Sequence, residues 1–473
     1  MESGSVCRTV KVGYNNALFS MSMKVYIHTY GCQMNERDSE AVASILKQAN
    51  MEIVNNESDA DIVIVNTCSV RDKAEQKAIG KLRLLSLQKK KRPELKIGVI
   101  GCMVQRMKEK LFEILPEINF AVGTRAIADI PEIINNVLNG ANRILDIDDA
   151  IPEAMEQLTS HLNQGPTAFI TILIGCNMHC SFCVVPKVRG AEWSRPAISI
   201  LKEISTLVSS GVREVTLLGQ SVMSYGRSNP VWDNNSISPR GYKNSFVKLL
   251  EAINDINGLE RIRFTSGHPS GCTAELATAM QELPKVCEHI HLPLQSGSDR
   301  ILRLMRRGYS VSGFCRAVDR IRNKVPDVAI TTDIIVGFPT ETEEDFEMTR
   351  RLMEEINFDS AFIFKYSERS DTEAAKLKDD VPFEVKDQRN KILLEDQAKR
   401  SERINKQLIG KDVEILVEGP STRNSRRWMG RTRTNKIVIF ESGNVKIGDI
   451  VAVHITHCTS TTLYGTISQS LTG

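Results

Sequence analysis

The chain of 473 residues lacks any run approaching the ~18 consecutive apolar residues that a membrane-crossing helix needs, so no membrane association is expected. Residues 1–23 lack the continuous apolar stretch of a secretory signal, which makes the cytoplasm the default compartment. Met21 and Met23 stand just before a strong strand pattern, and the first twenty residues read as a dispensable extension. Net charge is nearly lacking as well: 61 Lys and Arg against 58 Asp and Glu leave +3. Such a total does not announce a nucleic-acid binder, so any basic footprint must be local. Cysteine is sparse for the length, 11 residues and an odd count, which excludes a disulfide-built secreted scaffold. With 41% hydrophobic and 25% charged residues, the chain is not disordered. At roughly 150 residues per domain, it should hold about three domains.

What is present divides into three regions. The first, 24–145, alternates strand patterns at 24–29, 61–66 and 95–101 with helical stretches at 36–48 and 73–87. Strands separated by helices predict parallel pairing through βαβ crossovers, hence an α/β domain with a parallel sheet. The second, 162–395, repeats the βα unit, with strands at 169–174, 214–218, 261–265, 288–292, 329–336 and 360–364. Six such units predict a complete or partial (β/α)6 barrel. Its Asn- and Gly-containing insert at 226–243 reads as a surface loop. The third, 400–470, has short strands at 411–417, 436–440, 449–456 and 463–467 and predicts a small all-β barrel. Residues 141–164 read as a linker and 387–406 as a charged connecting helix.

Cys176, Cys180 and Cys183 lie in GCNMHCSFC directly after a predicted strand. In barrel enzymes the loops at the carboxyl ends of strands form the active face. A full zinc or iron–sulfur set would show four thiolates, and there is no fourth cysteine nearby. His179 is available as a fourth ligand, but its spacing does not require it. Three thiolates on a [4Fe–4S] cluster leave one iron open to an outside ligand. A structural zinc knuckle, or three unrelated buried cysteines, is the alternative on the residues alone.

Cys32, Cys68 and Cys102 are far apart in sequence, yet each follows one of the three predicted strands of the first region. Each interval is one βα unit, which brings all three to the carboxyl ends of parallel strands. A second open-iron cluster is one reading, and three buried thiols acting as small hydrophobes is the other.

The CxxxCxxC motif resembles the signature of radical S-adenosylmethionine enzymes. TYGCQMNERDSE around Cys32, NTCSVRDKAEQK around Cys68 and IGCMVQR around Cys102 resemble the amino-terminal domain of methylthiotransferases. GCNMHCSFC, LLGQSVMSYG and HLPLQSGSDRILRLMRRGYS resemble their radical domain. The resemblance covers about 24–470 and is nearest the MiaB branch, which makes 2-methylthio-N6-isopentenyladenosine in tRNA. It implies two [4Fe–4S] clusters and S-adenosylmethionine used twice. One molecule would donate a methyl group to a sulfur at the auxiliary cluster on Cys32, Cys68 and Cys102. Another, at the cluster on Cys176, Cys180 and Cys183, would be cleaved to a 5′-deoxyadenosyl radical that takes hydrogen from C2 of the adenine. The implied partner is tRNA carrying N6-isopentenyladenosine 37 beside the anticodon, and the protein is expected to act as a monomer. The electron donor and sulfur donor are not readable. SGHP at 266–269 departs from the family's commoner SPHP, and Ser221 stands where this branch often has Asn.

Strand-end positions are the natural suppliers of cofactor contacts. Phe182, Gly219, Gln220, Ser266, Gln295 and Gly337 are the candidates to bind S-adenosylmethionine, each weighed against an ordinary loop or packing residue. Arg306 and Arg307 are equally readable as cofactor or phosphate contacts and as solvated surface. Near the C-terminus, Arg423, Arg426, Arg427, Arg431, Arg433 and Lys436 form a basic strip around Trp428. Such a strip can grip phosphate while the ring stacks on a base, as the resemblance to a TRAM domain also implies. The other reading is a solvated loop with a partly buried Trp, and the run 89–92 is a second basic candidate. Cys272, Cys287, Cys315 and Cys458 read as packed or incidental, and His28 as a strand residue. His289 and His291 share one strand face, as an active-side lining or a packed pair.

Competing functions remain at this point. A related branch acts on threonylcarbamoyladenosine of tRNA, and another on an aspartate of a ribosomal protein. A non-enzymatic iron–sulfur RNA-binding or sensing protein would cleave no S-adenosylmethionine.

Overall fold

The apolar stretch Ile62–Thr67 shows no alternation, as suits a strand covered on both faces, and every residue of it is buried. The computed structural model, which describes residues 22–70, 72–147, 159–162, 165–233, 237–441 and 443–468, places this stretch inside a parallel sheet. The sheet comprises β1 (Lys24–Thr29), β2 (Glu52–Ile53), β3 (Ile62–Thr67), β4 (Lys96–Gly101), β5 (Phe120–Val122) and β6 (Ile144–Asp146), in the order β2-β1-β3-β4-β5-β6. The helix after β1, Gln33–Gln48, packs Val42 and Leu46 on one face with Ile130 and Ile134. The helix after β3, Asp72–Lys89, packs Ala78, Leu82 and Leu85 on the other. Connections that leave β1 and β3 toward opposite faces open a crevice at their carboxyl ends, the usual ligand position in open α/β sheets.

The stretch expected to be a linker from 141 is partly structured. Ile144–Asp146 pairs with β5 and closes the sheet edge, because unpaired edge groups are satisfied by even a short strand. Further on, His161 bridges Glu40 of the first domain and Glu203 of the second. Residues 1–21, with Cys7 and the expected extension, lie outside the described residues, as do 148–158 and 163–164 of the linker.

The second region contains β7 (Thr167–Thr171), β8 (Leu173–Ile174), β9 (Trp193–Ser194), β10 (Glu214–Leu218), β11 (Arg261–Phe264), β12 (His289–His291), β13 (Ala329–Val336) and β14 (Ser360–Lys365). β11-β10-β7 and β12-β13-β14 are all-parallel sheets that meet through the bridge between Ile262 and Val286. Together these six strands form the expected partial barrel. Along β13, Ile330, Ile334 and Val336 join Phe314 and Phe346 of the surrounding helices in the main core. The alternate residues Thr331, Asp333 and Ile335 are half-buried and face the barrel interior. The insert at 226–243 is more than a surface loop. Val231 and Tyr242 enter the core, and the buried Glu251 carboxylate accepts from Ser238 Oγ and the Arg240 backbone.

The third region is a closed barrel of β15 (Asp412–Pro420), β16 (Arg427–Thr432), β17 (Ile437–Glu441), β18 (Ile450–Cys458) and β19 (Thr462–Ile467), ordered β15-β16-β17-β19-β18. Its core is Ile415, Val417, Val438, Phe440, Val453, Ile455 and Leu463. β16 was not expected, because its Arg residues hide the alternation that buries Gly430 and Thr432. The helix Phe383–Lys406 leads into this barrel and is longer than the sequence suggested. Among the described residues no helix is long and apolar enough to cross a membrane.

Candidate active site

The first thiol set lies at the crevice of the parallel sheet. Cys32 caps the start of Gln33–Gln48, Cys68 follows β3, and Cys102 opens the helix Cys102–Met107 after β4. Gly31 has a φ of +138°, and a Cβ there would stand 2.7 Å from Cys68 Cβ, so glycine is what lets the two loops meet. Behind them, Asn35 Nδ2 donates to Asn66 Oδ1 at 2.9 Å and to Thr67 O at 2.8 Å. Asn66 Nδ2 returns a bond to Asn35 O at 2.9 Å. This buried amide pair locks the Cys32 and Cys68 loops in register. A hydrogen bond to Cys68 draws the Cys32 thiol down to about 6, against the opposing effect of burial and aided by the charge of Arg189. Burial raises Cys102.

The second set occupies the loop after β8. Met178 N donates to Cys176 Sγ at 3.4 Å, and Arg307 Nη1 donates to Cys180 Sγ at 3.0 Å. The three thiols are close enough to repel one another's ionised forms, while burial pushes Cys183 up to about 12. Ser181 anchors the loop by donating to Leu304 O at 2.7 Å and Met305 O at 3.0 Å. The sets are neighbours in space. Cys102 packs with Val184 and Val188 of the segment after Cys183. Cys32 and Met34 pack with Phe169, Ile174, Trp193 and Leu218 at the carboxyl end of the barrel.

The donor chemistry fits clusters. All ten described cysteines are free of disulfides, and each triplet has a buried guanidinium beside it to offset an anionic group: Arg189 and Arg307. Among the described residues no three His, Cys, Asp or Glu side chains are drawn together around a single metal ion. A cluster takes each thiolate on a different iron.

The barrel mouth also holds several buried polar atoms without hydrogen-bond partners: Gln220 Oε1, Ser221 Oγ, His268 Nε2 and Gln295 Oε1. Such atoms are costly to bury, and a polar ligand would satisfy them. Ser266 and Gln295 adopt positive φ, 56° and 69°, a left-handed conformation that costs a non-glycine residue some strain. Gly219 follows β10 against Leu173. At Gly337, φ is +69° and a Cβ would lie 2.3 Å from Lys386 Cγ. The Phe182 ring packs in a side cluster with Met305, Phe338 and Tyr366. His268 is pushed down to about 4 by burial and by Arg307, which leaves it a neutral ring.

Three family models match the chain: Uncharacterized protein family UPF0004 over 24–123, the Radical SAM superfamily over 170–353 and the TRAM domain over 406–468. A protein of Opitutus terrae named tRNA-2-methylthio-N(6)-dimethylallyladenosine synthase is 45% identical, over 93% of this chain and 97% of that protein. A namesake from Acetivibrio thermocellus is 41% identical over 97% of this chain and 94% of its own. The chain belongs to the tRNA-2-methylthio-N(6)-dimethylallyladenosine synthase family. Among solved structures, the radical S-adenosylmethionine methyltransferase TsrM of Kitasatospora setae, with cobalamin and a [4Fe-4S] cluster bound, shares the fold. The match has a TM-score of 0.54 at 14% identity over 75% of this chain and 77% of that one.

In this member of the family the basic strip does not act as one surface. Arg423, Arg426 and Arg427 are exposed. Arg433 instead grips Glu288 of the radical domain through Nε and Nη2, both at 2.8 Å, and Lys436 pairs with Asp359 at 2.9 Å. Arg431 pairs with Glu418, and Trp428 packs on the TRAM core. The charges of Arg431, Arg433 and Lys436 are committed to internal partners, because the TRAM barrel docks there on the radical domain. Lys89, in the second basic run, is likewise turned inward to Glu117 O and Asn119.

The Arg307–Cys180 contact and the place of Phe362 are not legible in the sequence. Arg307 is buried against Cys180 and is not solvated surface, whereas Arg306 is exposed and pairs with Glu373. Along the inner barrel wall, His291 contacts Thr331 at 2.9 Å and Asp333 at 3.2 Å, and Phe362, half exposed, meets the His291 ring edge-on. The shared face of His289 and His291 pointed to this wall, but the position of Phe362 depends on the pairing of β14 with β13.

Proposed function

We infer that this chain is a tRNA-2-methylthio-N(6)-dimethylallyladenosine synthase: an enzyme that attaches a methylthio group to C2 of N6-isopentenyladenosine 37 in tRNA. The observation that carries this is the pair of thiol sets, both at strand carboxyl ends and packed against each other, in a chain 41–45% identical to such synthases over more than nine-tenths of its length.

In this reading, residues 24–145 carry the auxiliary [4Fe–4S] cluster on Cys32, Cys68 and Cys102. Residues 162–395 carry the radical cluster on Cys176, Cys180 and Cys183, and residues 400–470 bind RNA. When bound, the clusters and S-adenosylmethionine supply an electron, a 5′-deoxyadenosyl radical and a transferable methyl group. The chain's part is to bind, orient and shield. Gln220, Ser266 and Gln295, with backbone at Phe182, Gly219 and Gly337, hold S-adenosylmethionine at the barrel mouth. Arg307 offsets thiolate charge at Cys180. Phe362, His291 and Asp333 offer the adenine an aromatic edge and a polar pair inside the barrel. The protein acts as a monomer in the cytoplasm.

The test is an anaerobic assay of the reconstituted protein with reductant, S-adenosylmethionine and tRNA carrying either isopentenyladenosine or threonylcarbamoyladenosine. Mass spectrometry should find methylthio addition only on the isopentenyl nucleoside. Addition only on the other nucleoside would overturn the substrate assignment.

RNA binding rests on the three exposed arginines. Replacing Arg423, Arg426 and Arg427 together by alanine should weaken tRNA binding. The slope of log affinity against log salt should fall by about 2 to 3, one phosphate contact per arginine. A slope equal to that of the parent protein in a salt titration would move the RNA grip elsewhere.

A further inference from the structure

Arg189 belongs to the radical domain by sequence and to the auxiliary site by position. It ends the short helix Val185–Arg189, which begins just after Cys183. The first domain holds this segment firmly. Thr124 Oγ1 donates to Val188 O at 2.7 Å, and Arg125 Nη2 donates to Arg189 O at 2.8 Å and to Ala191 O at 2.9 Å. The Arg189 side chain then enters the crevice of the parallel sheet, where only 3% of its surface is exposed.

Its two amino groups are treated differently. Nη2 donates to Asp38 Oδ2 at 2.7 Å and, at 3.4 Å, to Asn35 Oδ1, which also accepts from Cys32 Sγ. Nη1 is buried and makes no well-aligned hydrogen bond, and the guanidinium lies close enough to the Cys102 thiol to hydrogen-bond it. The guanidinium stands within electrostatic reach of both Cys32 and Cys102. A guanidinium keeps its proton in any protein setting. Leaving one of its donors dry is among the more expensive faults a native core can carry. Asp38 and Asn35 account for Nη2 alone, and the guanidinium's remaining neighbours are the thiols of Cys102 and Cys32. The missing partner is an acceptor at the auxiliary site, and a negatively charged one suits a cation best.

We propose that Arg189 is the anion-holding residue of the auxiliary site, with Nη1 donating to the sulfide or methylthiolate carried there before transfer. This rests on reading Cys32, Cys68 and Cys102 as the auxiliary-cluster ligands. Because the loop of the other cysteine set positions Arg189, the proposal also explains how the transferable sulfur is held over the barrel mouth. Arg189 is a positioning residue, and no bond is made or broken at it.

The experiment compares wild type, Arg189→Gln and Arg189→Lys as reconstituted full-length proteins, with methanethiolate as the probe. Methanethiolate binding is followed by its change to the electron paramagnetic resonance signal of the auxiliary cluster. That signal is isolated in a background where Cys176, Cys180 and Cys183 are alanine. Arg189→Gln should weaken methanethiolate by about 10- to 100-fold, the range for residues supporting metal ligands. It should also make the auxiliary cluster harder to reduce, because a neighbouring positive charge has gone. Arg189→Lys, which keeps the charge, should recover most of the potential and part of the affinity. Wild-type affinity and potential in Arg189→Gln would overturn the proposal. So would equal losses in Gln and Lys variants that also lose iron, since the role would then be structural. Failure of the underlying reading looks different: the wild-type chain in that background would hold no iron.

Discussion

Cys176→Ala should abolish release of 5′-deoxyadenosine from S-adenosylmethionine, down to the level of a protein-free control. The one-electron chemistry belongs to the bound group, and no side chain in the barrel can supply it. The loop offers no substitute thiol: the other described cysteines of this domain, Cys272, Cys287 and Cys315, belong to other parts of the structure, and the first two are fully buried. Cys102→Ala should leave a different signature. Iron falls to that of a single site and the methylthio product is lost, while S-adenosylmethionine cleavage at the other site continues. Chromatography of quenched reactions measures deoxyadenosine, and iron analysis counts the sites. Deoxyadenosine release by Cys176→Ala at the parent rate would remove Cys176 from the radical site.

The second large effect is structural. Arg263→Met should destabilise the chain by about 3–5 kcal/mol, the range for breaking a buried ion pair from one side. Arg263 Nε donates to Glu214 Oε1 at 2.8 Å, and both side chains are buried. Its Nη1 and Nη2 donate to Arg433 O and Thr432 O of the TRAM barrel, each at 2.7 Å. Methionine fills the space but leaves two carbonyls unanswered and the buried Glu214 carboxylate with only the longer contact to Arg261, at 3.9 Å. Beside it, Arg261 makes the same kind of crossing, to Arg431 O at 2.7 Å and Glu414 at 2.8 Å. The TRAM barrel should thus loosen before the rest unfolds. Denaturant unfolding followed by fluorescence should show a lower midpoint, and limited proteolysis should release the C-terminal barrel. Arg263→Lys should recover little, since one ammonium cannot reach three acceptors on two strands. Unfolding within 1 kcal/mol of the parent, with no released fragment, would refute this account of docking.

Much of the site was legible from local pattern. Three of the six strands of the first domain, and the thiol after each, followed from apolar runs and spacing, since a parallel strand covered on both faces cannot hide its composition. Cys176, Cys180 and Cys183 are close in sequence, so their gathering on one loop was a local matter. The basic strip was legible only as composition. Arg423 and Arg433 look alike in sequence, yet one is exposed and the other is bound to Glu288, 145 positions away. β16 was missed for the same reason, because arginines at half-buried positions mask the alternation of a small barrel strand. The contacts at the end of the expected linker were not legible, because His161 owes its place to carboxylates on two different domains.

The sequence alone put both thiol sets at strand ends, because thiol spacing on βα units is a short-range property of the chain. It also settled the three-part architecture, because hydrophobic period reports local structure directly. Only the tertiary structure decided how the two thiol sets meet. That contact depends on Val184 and Val188 packing against Cys102, and on one guanidinium crossing from the radical domain into the sheet crevice. It also decided which arginines remain outside. Burial of an ion pair is a property of two distant segments at once, and no local pattern encodes it.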